Sequence, residues 1–278
     1  MADPIGSGIK KNRKVGRPSS NGQSQVQSLT RALSLLERLS HTEMGLNLSD
    51  VSGSLGLAPS TTHRLLSTML QMGFVEFDED QGLWYVGVKA FSVGNAYLKK
   101  RDFVAQSRPL MKKLMSLSGE TCNLAIIEQE TTVFVAQVEC LEVMRMVVQL
   151  GSRGPLHATG VGKALLATLP KKEVMSLIQR IGLPRLTDNT ITTPKLFLDD
   201  LKKTQAQGYA IDDEEQKLGL RCIAACIYDE SSEPIAAVSI SGPAVRITKK
   251  RLPILSSHVL NVADEITNAI GGVKPLDS

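Results

Sequence analysis

Residues 48 to 69 read Leu48-Ser49-Asp50-Val51-Ser52-Gly53-Ser54-Leu55-Gly56-Leu57-Ala58-Pro59-Ser60-Thr61-Thr62-His63-Arg64-Leu65-Leu66-Ser67-Thr68-Met69. The apolar spacing predicts a short helix over Leu48 to Leu55, and Gly56 supplies a turn residue that tolerates a left-handed backbone. A second helix opens at Ala58-Pro59, with proline suited to the first helical position. Its inward residues are expected to be Leu65, Leu66, Met69 and Leu70. Ser60, Thr61, Arg64 and Ser67 then project outward, small hydroxyls around one guanidinium. Two helices joined by a short glycine turn, the second with short hydrogen-bonding side chains, make a helix-turn-helix whose second helix enters the DNA major groove. Taken alone, the same face also fits an ordinary solvated helix.

The flanks support the first reading. From Val26 the spacing is helical, with Leu29, Leu33, Leu36 and Leu39 on one stripe. Downstream, Phe74 to Phe77 and Leu83 to Val86 alternate like strands around Asp78-Glu79-Asp80-Gln81-Gly82, a β-hairpin wing. Its acidic tip is repelled by phosphates, so the wing is assigned a packing role. Residues 25–87 are thus read as a winged helix-turn-helix. Residues 88–103 follow as a linker helix, in which Phe91, Gly94 and Leu98 form a narrow apolar stripe before Lys99-Lys100-Arg101. Such a stripe can pack against the same helix of a second subunit.

Residues 1–24 carry almost no large apolar side chain, and are read as a disordered basic arm. Lys10, Lys11, Arg13, Lys14 and Arg17 oppose only Asp3, so the arm accounts for the whole net charge of +4 and the remainder is neutral. A neutral body with a cationic tail suits a polyanion, here double-stranded operator DNA. Gly16-Arg17-Pro18 fits either an AT-hook, with Arg17 in a narrow minor groove, or a generic tail on phosphates. No apolar run reaches the roughly 18 residues of a membrane span, and no signal peptide is visible. A cytoplasmic protein without membrane partners is therefore expected. Cys122, Cys140, Cys222 and Cys226 are scattered and expected to be reduced, buried thiols.

Residues 104–274 mix helices with apolar strands. Helices are expected at Met111 to Leu117, from near Gly160, around 171–181 and 196–207, and from Lys249 to Ile270. Strands are expected at Asn123 to Ile127, Val133 to Val138, Met144 to Val148, Cys222 to Tyr228 and Ile235 to Ser241. Helices on one side of a largely antiparallel sheet give an α+β sandwich, a frequent host of small-molecule pockets. Three segments can line one. His157-Ala158-Thr159-Gly160-Val161-Gly162-Lys163-Ala164 fails as a phosphate loop, which needs glycine at 157 and serine or threonine at 164. Glycines at a helix start can still present N–H groups to an anion, or can serve only close packing. Leu220-Arg221-Cys222 and Ser239-Ile240-Ser241 add a thiol and two hydroxyls on one strand face. No metal site is expected: Cys222 and Cys226 lie about 13 Å apart along a strand. The acidic run Asp212-Asp213-Glu214-Glu215 could bind a cation or supply catalytic carboxylates, but reads better as a solvated loop. No catalytic nucleophile–base arrangement is found, so neither enzyme activity nor a cofactor is expected.

These motifs resemble the IclR family of bacterial regulators over almost the whole chain beyond the arm. The resemblance rests on Val26-Gln27-Ser28-Leu29-Thr30-Arg31-Ala32-Leu33, Ser60-Thr61-Thr62-His63-Arg64-Leu65-Leu66, Ser118-Gly119-Glu120-Thr121, Asp212-Asp213-Glu214-Glu215 with Gly219-Leu220-Arg221-Cys222, and Ser239-Ile240-Ser241-Gly242-Pro243. It implies an α+β chain, with an N-terminal winged helix-turn-helix and a C-terminal GAF-like α/β effector-binding domain. It also implies a homodimer or homotetramer and a repressor controlled by a small carboxylate, glyoxylate or pyruvate, acting on the glyoxylate bypass or on allantoin use. Carried over, DNA-contacting residues are Arg17, Ser60, Thr61, Thr62, His63, Arg64 and Ser67. The effector would be held by Met146, Gly160, Val161, Asp212, Leu220, Cys222, Ser239 and Ser241. Val143, Gly154 and Val161 stand where the resemblance leads one to expect Leu, Leu and Ala, so pocket volume can differ. Two rivals stay open: an α/β enzyme with a DNA-binding accessory, and an architectural DNA binder without a ligand.

Overall fold

In the computed structural model, which describes residues 26–42, 44–99 and 103–275, the chain divides after Ala96 into two units. The first holds α1 (Gln27–Ser40), α2 (Leu48–Leu55), α3 (Pro59–Gln71), β1 (Val75–Asp78) and β2 (Leu83–Val86). Asn47 caps α2 by accepting from the Asp50 N–H, and Gly56 ends it at φ 61°, a conformation that favours glycine. Pro59 stands at the start of α3. β1 and β2 pair as an antiparallel hairpin, and Leu46 bridges to Trp84 on its free side. Leu35, Leu39, Val51, Leu66, Met69, Val75 and Trp84 form the core.

Several positions differ from the sequence expectation. Leu29 and Leu33 are 58% and 57% exposed, whereas Leu35 and Leu39 are buried. Five leucines in one fourteen-residue helix admit two stripes at a 3.6-residue period, and packing against α3 and β2 selects the second. On α3, Leu70 is exposed and Leu65 half-buried, while Thr62 takes a buried place beside Leu66. The hairpin is followed by α4 (Val88–Lys99), on which Val88, Phe91 and Val93 are exposed. The arm at 1–24 with Arg17, and residues 100–102, lie outside the described residues.

The second unit contains α5 (Phe103–Ser118), β3 (Thr121–Glu128), β4 (Thr131–Val138), β5 (Arg153–Gly154), α6 (Gly160–Leu166), α7 (Lys171–Ile181), α8 (Pro194–Gln207), β6 (Ala210–Asp213), β7 (Leu220–Tyr228), β8 (Pro234–Pro243) and α9 (Leu252–Ala269). Its sheet is antiparallel with order β5-β4-β3-β8-β7-β6. Both faces are covered, where helices on one side were expected. Cys122, Leu124, Ile126, Ile223, Ala225, Ile227, Val238 and Ile240 share one cluster with residues of α5 and α9. The alternate positions Ala125, Ala224, Cys226 and Ala237 cluster with Val161, Ala164 and Leu165 of α6. Alanines on that face let α6 lie close, which is why the strands read as almost unbroken apolar runs. Leu166 of α6 in turn packs with α7 and α8 through Val174, Leu177, Phe197 and Leu201.

Met144 to Val148 is not a strand: it belongs to a loop between β4 and β5 whose apolar alternation finds no neighbouring strand. The acidic run, expected as a solvated loop, starts as the edge strand β6 and buries Asp212 and Glu215. Among the described residues no helix is long and apolar enough to cross a membrane.

Trp84 is the chain's one tryptophan and lies in the first core, so its fluorescence reports unfolding of that unit. Leu35→Ala is expected to destabilise it by about 2–5 kcal/mol in urea titrations, as core leucine truncations do. Leu33→Ala, at dilution, should change it by less than about 0.5 kcal/mol. The reverse ranking would restore the stripe first expected for α1.

Candidate functional site

The outward face of α3 carries Ser60, His63, Arg64 and Thr68, all exposed, with Thr61 and Ser67 half-buried at its edges. His63 stands edge-on to Trp84 at 6.4 Å between ring centres, so the wing sets its position. Its Nδ1 lies 3.4 Å from Ser67 Oγ. The Thr68 hydroxyl donates to the Arg64 carbonyl at 2.9 Å. Arg64 makes no ion pair among the described residues, leaving five planar N–H donors for an acceptor outside the chain. Thr62 does not share this surface. Its side chain is buried, and its hydroxyl donates to the Ala58 carbonyl at 3.3 Å. It is a packing residue, a correction to its placement among DNA contacts. The face is thus one guanidinium, one imidazole and short hydroxyls, matched in kind to the edges of bases.

A second concentration of chemistry lies on the α6 side of the six-stranded sheet. Directly opposed residues in a ladder share a face, and the register sets Asp212 opposite Cys222, Cys222 opposite Ser241, and Ser241 opposite Thr121. The adjacent row runs Ala224, Ser239, Asn123 and Gln137. All but Gln137 are buried. A sheet otherwise packed with alanine and aliphatic side chains therefore holds a polar patch at one end. Gly160, the first residue of α6, lies on it: a Cβ there would come within 2.9 Å of Cys222 Sγ. Thr159 caps this helix by accepting from the Gly162 N–H at 3.2 Å.

Within the patch, Asn123 Nδ2 donates to Ser241 Oγ at 3.3 Å and Gln137 Nε2 donates to Asn123 Oδ1 at 2.8 Å. Ser239 Oγ is buried with no nitrogen or oxygen partner and lies beside the Cys222 thiol, a weak hydrogen-bonding group that a ligand oxygen could replace to advantage. Asp212 Oδ1 accepts the N–H groups of Glu215 at 2.8 Å and Gln216 at 3.3 Å. Burial pushes the Asp212 carboxyl up to about 7; the Glu215 and Gln216 N–H bonds work against this and the Glu215 charge adds to it. Burial likewise pushes the Cys222 thiol up to about 11, with the Asp212 charge reinforcing it. A neutral thiol is a poor nucleophile. The imidazole of His157 does not serve it, because His157 Nε2 is held at 2.9 Å by the Pro184 carbonyl.

Behind the patch, Lys163 Nζ donates to Glu215 Oε1 at 2.5 Å and to Asp200 Oδ2 at 2.9 Å. Desolvation alone would lower Lys163, but Glu215 and Asp200 outweigh it and the ammonium is held above its ordinary range. Its charge is answered internally. A cleft of about 670 Å³ opens past Cys226 and Tyr228, lined from α6, α8 and α9. Its rim mixes Lys202 and Lys274 with Glu233 and Asp264.

Of the expected effector residues, Gly160, Asp212, Cys222, Ser239 and Ser241 come together. Leu220 starts β7 on the same face as Cys222, half-buried, and Met146 is half-buried in the β4–β5 loop. Val161 belongs to the apolar cluster with Ala125 and Phe134. Sequence reasoning missed Thr121, Asn123 and Gln137, whose signal was polar side chains spaced by two in strands read as apolar. It also missed Lys163, Asp200 and Glu215, whose spacing of dozens of residues leaves no local trace. Among the described residues no group of three histidine, cysteine or carboxylate side chains can hold a metal ion.

Known proteins resemble the chain throughout. Residues 28–79 match the IclR helix-turn-helix domain, and residues 95–268 match the bacterial transcriptional regulator IclR C-terminal domain. The acetate operon repressor of Salmonella typhimurium is 45% identical over 267 residues, 95% of this chain and 97% of that protein. The HTH-type transcriptional repressor AllR of Salmonella typhi is 40% identical over 267 residues, 96% of this chain and 98% of that one. The crystal structure of Thermotoga maritima IclR superposes with a TM-score of 0.78 at 27% identity, covering 89% of this chain and 100% of the other.

The Asp212 carboxyl yields a stability test. With its folded value raised to about 7 from an ordinary 3.8, the folded protein binds a proton that the unfolded chain has already lost. Stability must then fall as pH rises from about 4 to about 7, by on the order of 4 kcal/mol at full extent. Asp212→Asn should abolish this slope relative to wild type in urea unfolding of the second unit, followed by circular dichroism. Parallel slopes would mean that Asp212 ionises normally.

Proposed function

The chain belongs to the IclR family of bacterial transcriptional regulators, and we propose that it is a repressor that reads operator DNA with α3 and answers to a small carboxylate in its second unit. The observation that carries the effector half is the polar patch beneath Gly160. There a buried hydroxyl at Ser239 has no nitrogen or oxygen partner and faces only the weakly bonding Cys222 thiol, beside a second hydroxyl at Ser241 and a buried carboxyl at Asp212. Short donors in a tight space suit a ligand of two or three carbons, and glyoxylate and pyruvate are the proposed effectors. Met146, Leu220 and Val161 would supply its apolar walls.

The DNA half rests on the matched helix-turn-helix domain and on the α3 surface. Ser60, Thr61, His63, Arg64 and Ser67 are the proposed contacts, with Thr68 added from the structure, and Arg17 is proposed to extend the contact from the arm. Exposed Leu29 and Leu33 on α1, with Val88, Phe91 and Val93 on α4, are apolar surface that a homodimer would cover; a homotetramer is the proposed functional assembly. Two recognition helices so paired would meet half-sites about one helical turn apart. The protein would act in the cytoplasm. The similarity to the acetate operon repressor favours genes of acetate and glyoxylate metabolism as targets, and the similarity to AllR makes the corresponding repressor role the second reading. The enzyme rival lacks support, since the relatives are named as repressors and the Cys222 thiol has no base.

Operator affinity at fixed salt, measured by fluorescence anisotropy with and without millimolar glyoxylate or pyruvate, tests both halves. One acid is expected to shift it, and a hundredfold shift corresponds to about 2.7 kcal/mol of coupling. Arg64→Ala should cost about 1–3 kcal/mol on the operator and little on unrelated DNA. Equal loss on both would reassign Arg64 to a phosphate, and indifference to both acids would remove them as effectors.

A further inference from the structure

Asn123, fully buried in β3, one of the two central strands of the sheet, takes no part in the apolar clusters. Its amide is the middle link of a hydrogen-bond chain. The Val148 N–H, in the β4–β5 loop, donates to Gln137 Oε1 at 3.4 Å; Gln137 Nε2 donates to Asn123 Oδ1 at 2.8 Å; Asn123 Nδ2 donates to Ser241 Oγ at 3.3 Å. The polarity of this chain is not arbitrary. A backbone N–H can only donate, so Gln137 must turn its oxygen to Val148 and its nitrogen to Asn123. Asn123 must then offer its oxygen to Gln137 and its nitrogen to Ser241. Ser241 Oγ is thereby made an acceptor on the Asn123 side, and its own proton is turned toward the Cys222 thiol and the rest of the patch, where a ligand oxygen would be a stronger acceptor than sulfur.

We propose that Asn123 and Gln137 are positioning residues of the effector site, which fix the Ser241 hydroxyl as a donor toward a bound carboxylate and tie the β4–β5 loop to that hydroxyl. This rests on the reading of the patch as a carboxylate site. The donor role matters there because Lys163 is neutralised by Glu215 and Asp200, so oxygens of an anion must be met by hydroxyl and amide protons. The loop is also held by the Cys140 N–H donating to Thr121 Oγ1 at 3.3 Å and by Arg246 Nη1 donating to the Met144 carbonyl at 2.8 Å. Arg246 is itself clamped by both oxygens of the buried Glu120. Of these ties, the Gln137 link continues through side chains into the Ser241 hydroxyl. Occupancy of the site and closure of the loop that carries Met146 are therefore linked through two amides.

The test uses the full chain. Gln137→Met keeps length and removes both ends of the link. Hydrogen exchange over residues 139–152, read by mass spectrometry without ligand, is expected to quicken several-fold, and the Kd for glyoxylate or pyruvate to rise about tenfold, the worth of one hydrogen bond. Operator binding without acid should be unchanged. Gln137→Glu provides a readout that a packing role would not move. A neutral carboxylic acid has one donor and one acceptor and can complete the chain, whereas a carboxylate cannot. Its acid affinity relative to wild type at the same pH should recover as pH falls from 8 to 5. Exchange and affinity in Gln137→Met equal to wild type would overturn the proposal, as would a Gln137→Glu ratio flat with pH. Should wild type bind neither acid, the carboxylate reading itself fails; unchanged exchange in Gln137→Met would still refute the loop tie separately.

Discussion

Carrying an ammonium into a protein interior costs several kcal/mol unless carboxylates meet it there, and Lys163 lies at 1% exposure between Glu215 and Asp200. Three separate pieces of chain must converge to make that arrangement: α6, the turn after β6, and α8. Once they converge, the rest of the site has little freedom. The first residue of α6 is pressed onto Cys222, where only a glycine fits. The turn that delivers Glu215 also delivers two N–H groups to Asp212. The Thr187 and Thr190 hydroxyls then donate to the backbone carbonyls of this turn and hold it from outside. Removing one partner would leave a buried charge unanswered, so the ion cluster and the polar patch stand or fall together.

The parts of this molecule legible in its sequence are those decided locally. Gly56 and Pro59 punctuate α2 and α3 because backbone conformation at a turn and at a helix start is a property of those residues themselves. Period-two and 3.6-period runs gave most strands and helices of the second unit for the same reason. What could not be read depends on distant partners. Asp212 and Glu215 look like half of a solvated acidic run until Lys163, about fifty residues earlier, is brought to them. Met144 to Val148 reads as a strand, but a strand also needs a neighbour, and β4 pairs instead with the two residues Arg153–Gly154. The helix covering of both sheet faces was hidden because alanine is read as neutral, while Ala125, Ala224 and Ala237 are the places where α6 approaches.

The outward face of α3 was legible with one exception that is instructive. Ser60, Thr61, Thr62 and His63 are consecutive, and composition alone treats all four as polar. Helical geometry turns one of any such run toward the core, and Thr62 is the one that can go there cheaply, because its hydroxyl finds the Ala58 carbonyl four residues back. The same economy explains His63: an imidazole propped edge-on by Trp84 is held at a fixed angle without being buried, which reduces the rotamer entropy that a contact with DNA would otherwise have to overcome.

The proposed carboxylate site offers no free cation among the described residues, Lys163 being paired with Glu215 and Asp200, which raises the question of what would make it selective. A site built on an ammonium binds most anions of suitable size, since a point charge is poorly directional. Hydroxyl and amide protons must instead be aimed, and each is worth about 1 kcal/mol only when its acceptor sits in line. In the second unit the aiming is done by the strand register, which sets Ser239 and Ser241 two residues apart on one face, and by the Asn123 amide, which orients one of the two hydroxyls. Modest affinity with steep dependence on ligand shape is the natural result. The proposed role would require that, because a small-acid effector is one among many of equal charge, and a site saturated by any of them would carry no information.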